Sequence, residues 1–497
     1  MSEAAKPAAQ PAPDPEAERR KALHEVLVRA EQALSAKRYH EAAGICQDVL
    51  EANPDHPPAL ALLGAILGHR GDLARGAAFL ERAIAKDGSN APWYSNLSGL
   101  YRMQYRTREA VAAAQHAVRL RPDQARFHVN LGKALVDHGE RDAALTSFML
   151  ALGREASNAE AHLAIGQVLL ARGDMAPGWL EYEWRNQLDM AKGMLPKMVA
   201  AQWNGMHLPQ PGPGADAAAD RPEGRLLLVG DQGYGDTLQF CRFIPAAAAR
   251  CQEVLLGCSP DLAPLLRKIP GVGRVYTRWN EIPRHVAYCL LSSLPGLLGV
   301  QPDTIPADVP YLSPEPEQVQ AWAERLAPKV PAGCLRVGVA WAGRPTHPND
   351  RRRSMRLADL APLGQVNGIS FVSLMQKMPQ RDAADLAALP GLVDISDGLT
   401  SFAETAAAIC NLDLVITIDT AVGHLAGAIG RPAWLMLANP SDWRWMLDRS
   451  DTPWYPTLRL FRQPQPGDWA TVVGAIAQEL AGLAQRQPVR ELQEAPA

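Results

Sequence analysis

The sequence has no CxxC pair, few aromatic residues, almost no net charge and no long apolar run. Its seven cysteines (Cys46, Cys241, Cys251, Cys258, Cys289, Cys334 and Cys410) are scattered singly. That excludes a disulfide framework or a thiolate zinc site and predicts buried thiols in a reducing compartment. A net charge of -3 over 497 residues carries no polyelectrolyte signature, so nucleic acid is not expected as a partner. The longest apolar runs, such as Leu414 to Ile418, are strand-sized, and no transmembrane segment is expected. The N-terminus, Ala- and Pro-rich from Ala4 to Pro15, lacks the basic start and apolar core of a signal peptide. A disordered tail over 1–22 and a cytoplasmic location are the expectation.

Length and a period are what the chain does have. It is longer than one core usually organises, which suggests about three domains. Blocks starting at Leu23, Pro57, Ala91, Ala125 and Ala159 align without gaps at 34 residues, the tetratricopeptide (TPR) length. Position 8 of the blocks reads Ala30, Gly64, Ser98, Gly132, Gly166, and position 20 reads Ala42, Gly76, Ala110, Ala144, Gly178. Small residues at both positions let the two helices of a hairpin approach closely. An all-α TPR superhelix of about five repeats is expected over 23–192. Stacked repeats leave a concave groove suited to an extended peptide or a partner's helix. The aromatic-heavy stretch Trp179 to Trp184 predicts a capping helix that packs its tryptophans on the next domain.

Residues 193–224 include the Pro- and Gly-rich stretch from Pro209 and predict a linker. The composition then turns to βα alternation. Arg225 to Gly230 reads as a buried strand, Asp231 to Asp236 as a glycine turn and Thr237 to Arg250 as a helix. Further strands are expected at Glu253 to Cys258, Gly273 to Thr277 and His285 to Leu291, giving a first lobe over 225–325. A second lobe over 333–485 starts at Leu335 to Trp341 and adds strands at Ile369–Leu374, Leu392–Ile395, Leu412–Ile418 and Ala433–Leu437. Its intervening helices are expected at Leu357–Leu363, Arg381–Leu389 and Ser401–Asn411, with a final amphipathic helix from Asp468 to Leu483. Residues 486–497 are expected to fray. The fold class is thus multidomain: helical repeats followed by two Rossmann-like, doubly wound α/β lobes.

Ligands of such sheets sit beyond the carboxyl ends of the strands. Gly233 and Gly235 permit close backbone approach there. Asp236 stands at a helix start, where it serves either as an N-cap or as a general base. In the second lobe, the loop Trp341, Gly343, Asn349, Arg351, Arg353, Ser354 brings a run of arginines suited to phosphate oxygens or to a solvated surface. Gln376 and Lys377 follow the next strand. Asp419, Thr420, Ala421 and His424 form a strand-to-helix junction whose amides favour an anion.

These residues resemble a known group. The Asp231 to Thr237 turn, the Trp341 to Arg351 loop, the Asp419 to Gly427 junction, Asp442-Trp443-Arg444-Trp445 and Trp454-Tyr455-Pro456 look like bacterial TPR-containing glycosyltransferases. The catalytic part is similar to heptosyltransferases and, more distantly, to O-linked N-acetylglucosamine transferases. The resemblance covers roughly residues 23–480. It implies a GT-B fold with the acceptor on the first lobe and the donor on the second, and transfer without metal or other cofactor. It implies Asp236 as base and Asp419, Thr420 and His424 as contacts to a nucleotide-sugar donor. Glycines 233 and 235, Trp341, Gly343, Asn349, Arg351, Arg353, Ser354, Gln376, Lys377 and Ala421 complete the expected donor site. Some similar TPR proteins modify flagellin, so a protein acceptor docked by the TPR groove is expected. Alternatives are a TPR scaffold with degenerate lobes, or an enzyme acting on a lipid-linked or polysaccharide acceptor. The chain departs from the family pattern in opening its turn with Asp231 where Glu is commoner, and in having Gly423 where Ala is more usual.

Overall fold

A computed structural model describes residues 15–188, 199–209 and 222–486. It divides into two compact units, Met1–Ala161 and His162–Ala497. The first unit is all-helical. Helices α1 (Pro15–Ser35), α2 (Tyr39–Ala52), α3 (Pro57–His69), α4 (Leu73–Lys86), α5 (Ala91–Met103), α6 (Thr107–Leu120), α7 (Ala125–His138) and α8 (Arg141–Leu152) follow the repeat block by block. A Cβ on Gly64 would stand 2.7 Å from the Gly76 carbonyl oxygen, so the small-residue positions are a steric requirement of the hairpin. The expected tail over 1–22 is corrected in part: 15–22 belong to α1, while 1–14 lie outside the described residues.

The second unit begins with the fifth hairpin, completed by α9 (Ala159–Arg172) and α10 (Met175–Tyr182). Two parallel sheets follow. In the first, β1 (Ala201–Gln202), β2 (Arg225–Val229), β3 (Glu253–Gly257), β4 (Val272–Tyr276) and β5 (Ala287–Leu290) lie in the order β1-β5-β2-β3-β4. In the second, β6 (Leu335–Ala340), β7 (Ile369–Ser373), β8 (Val393–Asp394), β9 (Leu414–Ile418), β10 (Ala433–Leu437) and β11 (Leu458–Arg462) lie in the order β11-β10-β9-β6-β7-β8. Every pairing is parallel, and β2 and β9 are near-continuous apolar runs buried on both faces. Chain order reverses between β2 and β5 in one sheet and between β6 and β9 in the other. Those reversals are the switch points where open α/β sheets leave a crevice.

Several sequence expectations change. The linker expected over 193–224 contributes β1, because buried Trp203 ties it down: Trp203 N donates to Tyr288 O at 2.7 Å and its indole donates to Met206 O at 2.7 Å. The rest of that stretch, 193–198 and 210–221, lies outside the described residues, as does the tail 487–497. The first-lobe boundary at 325 assigns the Pro316–Leu326 helix to the wrong lobe: it packs on the second lobe's Phe402–Cys410 helix, where the Trp322 indole donates to Glu404 at 2.7 Å. Helices expected at Leu357–Leu363 and Arg381–Leu389 are short 3-10 turns, and the one from Thr237 to Arg250 is broken into Tyr234–Phe240, a 3-10 turn over Cys241–Phe243 and Ile244–Ala248, with Pro245 in the first turn of the last. The C-terminal helix Trp469–Arg486 packs on the second sheet through Val472, Val473, Ile476 and Leu480. The segment from Asp442 to Tyr455 is what returns to the first.

The fifth hairpin is built into the core of this unit. Trp179 is 4 % exposed, lies against Gly296, meets Trp443 edge-on at 5.3 Å and donates its indole hydrogen to Val300 O at 3.1 Å. Arg185 donates to Ser292 Oγ at 2.7 Å and Ser293 Oγ at 2.6 Å, while the Ser292 amide donates to Asp231 at 3.1 Å. Trp179→Ala is expected to cost about 3–5 kcal/mol in urea unfolding followed by tryptophan fluorescence. Leu180→Ala, at a neighbouring side chain that is 74 % exposed, should stay within about 0.5 kcal/mol.

Candidate functional site

The four loops that leave the switch-point strands carry the polar residues. After β2 the chain turns through Gln232, held at φ +62°, into the Tyr234–Phe240 helix. Asp236 falls at the third position of that helix. One of its carboxylate oxygens accepts the Gly233 amide at 2.8 Å, and the other accepts Arg444 Nη2. The N-cap expectation is thereby shifted by a turn: Gly233 is the cap, and Asp236 satisfies its amide in capping-box fashion. After β9, Thr420 stands at the N-cap position of the Ala421–Ala428 helix, without a side-chain capping bond, and the helix carries His424 in its first turn.

The two helix starts meet. A Cβ on Gly235 would stand 2.8 Å from His424 Cδ2 and 3.7 Å from Ala421 Cα, so only glycine allows this approach. His424 Nδ1 shares a hydrogen bond with Tyr455 OH at 2.9 Å, its ring stacks on Trp445 at 5.2 Å, and Nε2 lies 4.0 Å from Asp419 Oδ1. Burial, then the charges of Arg444, Arg242 and Arg353, hold the imidazole pKa well below its ordinary value, so it is neutral. Burial, with help from Asp442, pushes the Asp419 carboxyl up to about 6 against the Trp445 indole, Arg353 and Arg444. Burial also raises the Asp236 carboxyl, against the pull of Arg444 and the Gly233 amide.

The loop after β6 closes on itself and then reaches β9. Gly343 N donates to Ser354 Oγ at 2.8 Å, Ser354 Oγ donates to Asp350 Oδ1 at 2.8 Å, and Arg353 Nη1 donates to Asp419 O at 2.9 Å. A Cβ on Gly343 would lie 2.7 Å from Asp350 Oδ1 and 2.8 Å from Arg353 Nη2, so a larger residue here would displace those side-chain ends.

The structure therefore brings together Gly233, Gly235, Asp236, Asp419, Thr420, Ala421, His424 and Arg353, with Gly343 and Ser354 supporting the last. It does not bring the others in. Trp341 is fully buried in the core with its indole bonded to Asp382 at 2.8 Å, so its ring cannot face a donor. Asn349 and Arg351 are exposed on the far part of their loop, and Gln376 and Lys377 are exposed after β7 without a side-chain bond to the cluster. Sequence reasoning gave no role to Arg444, which donates Nε to Gln239 Oε1 at 2.7 Å, Nη1 to Asp442 Oδ1 at 2.9 Å and Nη2 to Asp236. Tyr455, noted only as part of a motif, was likewise given no role. In a chain only 6 % aromatic, the density of Trp and Tyr between Trp443 and Tyr455 was the available signal. Cavities of about 470 Å³ beside Pro316, Gln320 and Glu324, and of about 120 Å³ beside Leu265, Ser313 and Ala403, do not touch Asp236 or His424. Among the described residues no group of three His, Cys, Asp or Glu could hold a metal ion, and no helix is long and apolar enough to cross a membrane.

The fold is thus an all-helical TPR superhelix followed by an α/β region with parallel sheets. Tetratricopeptide-repeat family models match residues 33–100, 101–148 and 129–176. The chain is similar to Protein FlbA of Caulobacter vibrioides, 25% identical over 485 residues, which covers 90% of this chain and 71% of that protein. Among solved structures, TTC0263, a thermophilic TPR protein of Thermus thermophilus, is 23% identical and covers 34% of this chain and 92% of that one with a TM-score of 0.31. PilF of Pseudomonas aeruginosa is 21% identical and covers 34% and 78%, with a TM-score of 0.32.

The neutral imidazole sets a pH dependence. The unfolded chain takes up a proton at His424 near pH 6.5 and the folded chain resists it, so stability is full above that pH and falls as pH drops below it. The stability difference between the parent and His424→Gln should shrink by up to about 1.4 kcal/mol per pH unit below 6.5, read from urea unfolding at successive pH values. Asp419 contributes the opposite slope between its unfolded value and about 6 and is common to both chains. A pH-independent difference would contradict a buried neutral His424.

Proposed function

We propose that this chain is a glycosyltransferase that moves a sugar from a nucleotide-sugar donor to an acceptor hydroxyl, with a protein acceptor, flagellin among the candidates, docked by the TPR repeats. The observation that carries the reading is the convergence of Asp236 and His424. They come from the switch-point loops of two different parallel sheets and meet through Gly235. In this reading the donor phosphates lie against the amide start of the Ala421–Ala428 helix, near Arg353. The acceptor hydroxyl gives its proton to Asp236 as its oxygen bonds to the anomeric carbon, and the bond from that carbon to the phosphate oxygen breaks. Arg353 and the helix amides take up the charge that develops on the leaving nucleotide. The reaction takes place in the cytoplasm in this reading, which agrees with seven unpaired cysteines.

A second reading has a specific observation in its favour. Both Asp236 oxygens are already engaged, by Gly233 and Arg444, as in a purely structural carboxylate. A TPR scaffold with inactive lobes would look this way. A panel of UDP, GDP, ADP and CMP, with their sugars, separates the two readings by thermal shift. At least one should raise the melting temperature, and no shift with any of them favours the scaffold.

Transfer should then be followed by mass spectrometry of candidate proteins incubated with the donor and this chain. Asp236→Asn should keep nucleotide affinity within about threefold and lose transfer by at least about a hundredfold. Unchanged turnover would remove Asp236 from the role of base. Arg353→Gln should slow transfer by about a hundredfold, the loss of one preorganised phosphate donor.

A further inference from the structure

Resting on the nucleotide-sugar reading above, we infer that Arg444 is a latch: in the free chain it holds the Asp236 carboxylate across the two sheets, and it exchanges that partner for donor phosphate when a nucleotide binds. Arg444 lies after β10 of the second sheet, whereas Asp236 and Gln239 lie on the first helix of the other layer. Its guanidinium spans the gap, donating to Gln239 Oε1, Asp442 Oδ1 and Asp236 Oδ1. It is stacked on Trp443 at 4.5 Å and approaches Phe240 at 5.6 Å.

Three features mark this grip as one made for exchange. Asp236 as found is screened by a cation that weakens it as a base, so a proton-accepting role requires Arg444 to move away. The grip is also incompletely satisfied, since Gln239 Nε2 is buried with no hydrogen-bond partner. Finally, the other cation at the crevice, Arg353, has a buried Nε that makes no hydrogen bond and only approaches Asp350 at 3.7 Å. Arg353 bonds Asp419 O just before the Ala421–Ala428 helix, and both guanidiniums are among the charges that act on Asp419 and His424. An anion entering there finds Arg353 available and competes with Asp236 and Asp442 for Arg444. Phosphate oxygens match a guanidinium fork as well as a carboxylate does.

The exchange has a signature in protons. Asp236 faces Arg444, the Gly233 amide, Asp231, Asp442, Tyr182 and His347. Arg444 is the dominant cation in that set, and its departure leaves a buried carboxyl that binds a proton more readily. The test is calorimetry of UDP and GDP binding near pH 6, in buffers of different ionisation enthalpy, on the full chain and on Asp236→Asn. The parent should take up protons on binding and Asp236→Asn should lose that uptake. In addition, the coupling between Asp236→Asn and Arg444→Gln in urea unfolding should be at least about tenfold in the unfolding constant without nucleotide, and should fall to less than about threefold with saturating nucleotide. The calorimetric arm needs no Arg444 variant and decides the matter if Arg444→Gln does not fold. Binding with equal proton uptake in both chains overturns the latch and leaves the enzymatic reading standing. No binding of any nucleoside diphosphate to the parent overturns both.

Discussion

The second unit depends on one close approach, the backbone of Gly235 against the ring of His424. A methyl group at position 235 would stand 2.8 Å from the imidazole, so two helix starts from different sheets are held at a distance that no other residue type permits. Each helix starts beyond a strand at a point where its sheet reverses direction. Ligands of open parallel sheets sit beyond strand ends at such points, and here the two points are joined by the contact of the two helix starts.

This junction creates an electrostatic problem that the structure solves with arginine. Asp236, Asp419 and Asp442 lie close together there, and burial raises the carboxyls of Asp236 and Asp419. Arg444 satisfies two of these carboxylates and Arg353 bonds the backbone beside the third. His424 stays neutral because it is buried and because a proton would add to the charges of Arg444, Arg242 and Arg353. The fifth hairpin supports the same region from behind: Arg185 binds the serines after β5, and Tyr182 OH donates to Gln232 Oε1 at 3.1 Å, so the turn that carries Asp236 is braced by the last repeat.

The period of 34 residues was legible because repeats must bury the same faces, and helix starts at Pro57, Ala91, Ala125 and Ala159 fall where the blocks begin. Strands β2, β3, β6, β9 and β10 were legible as apolar runs bounded by glycine and polar residues. Short 3-10 turns at Leu357–Leu360 and Leu386–Ala388 were not, because apolar spacing over so few residues cannot distinguish one turn from a helix. Trp203 pulled a proline-rich stretch into a sheet through one buried ring, a tertiary effect with no local sign. Of the site, the glycines, Asp236, Asp419 and His424 stood out by their place at strand ends. Trp341 stood at a strand end too, but its ring turns inward to Asp382, and a rotamer is not written in sequence spacing. Arg444 lay in a motif whose aromatic density was visible, yet its partner Asp236 lies far away in the chain, and pairing at that separation is set by the fold.

The central claim is that a nucleotide sits where the switch-point loops after β2, β6 and β9 converge. Hydrogen exchange followed by mass spectrometry, with and without a saturating nucleoside diphosphate, tests it most directly. Protection should appear together in 230–237, 341–354 and 419–424, and be absent from the repeat helices α1 to α8. Protection confined to the repeats, or none at all at saturation, would contradict the account.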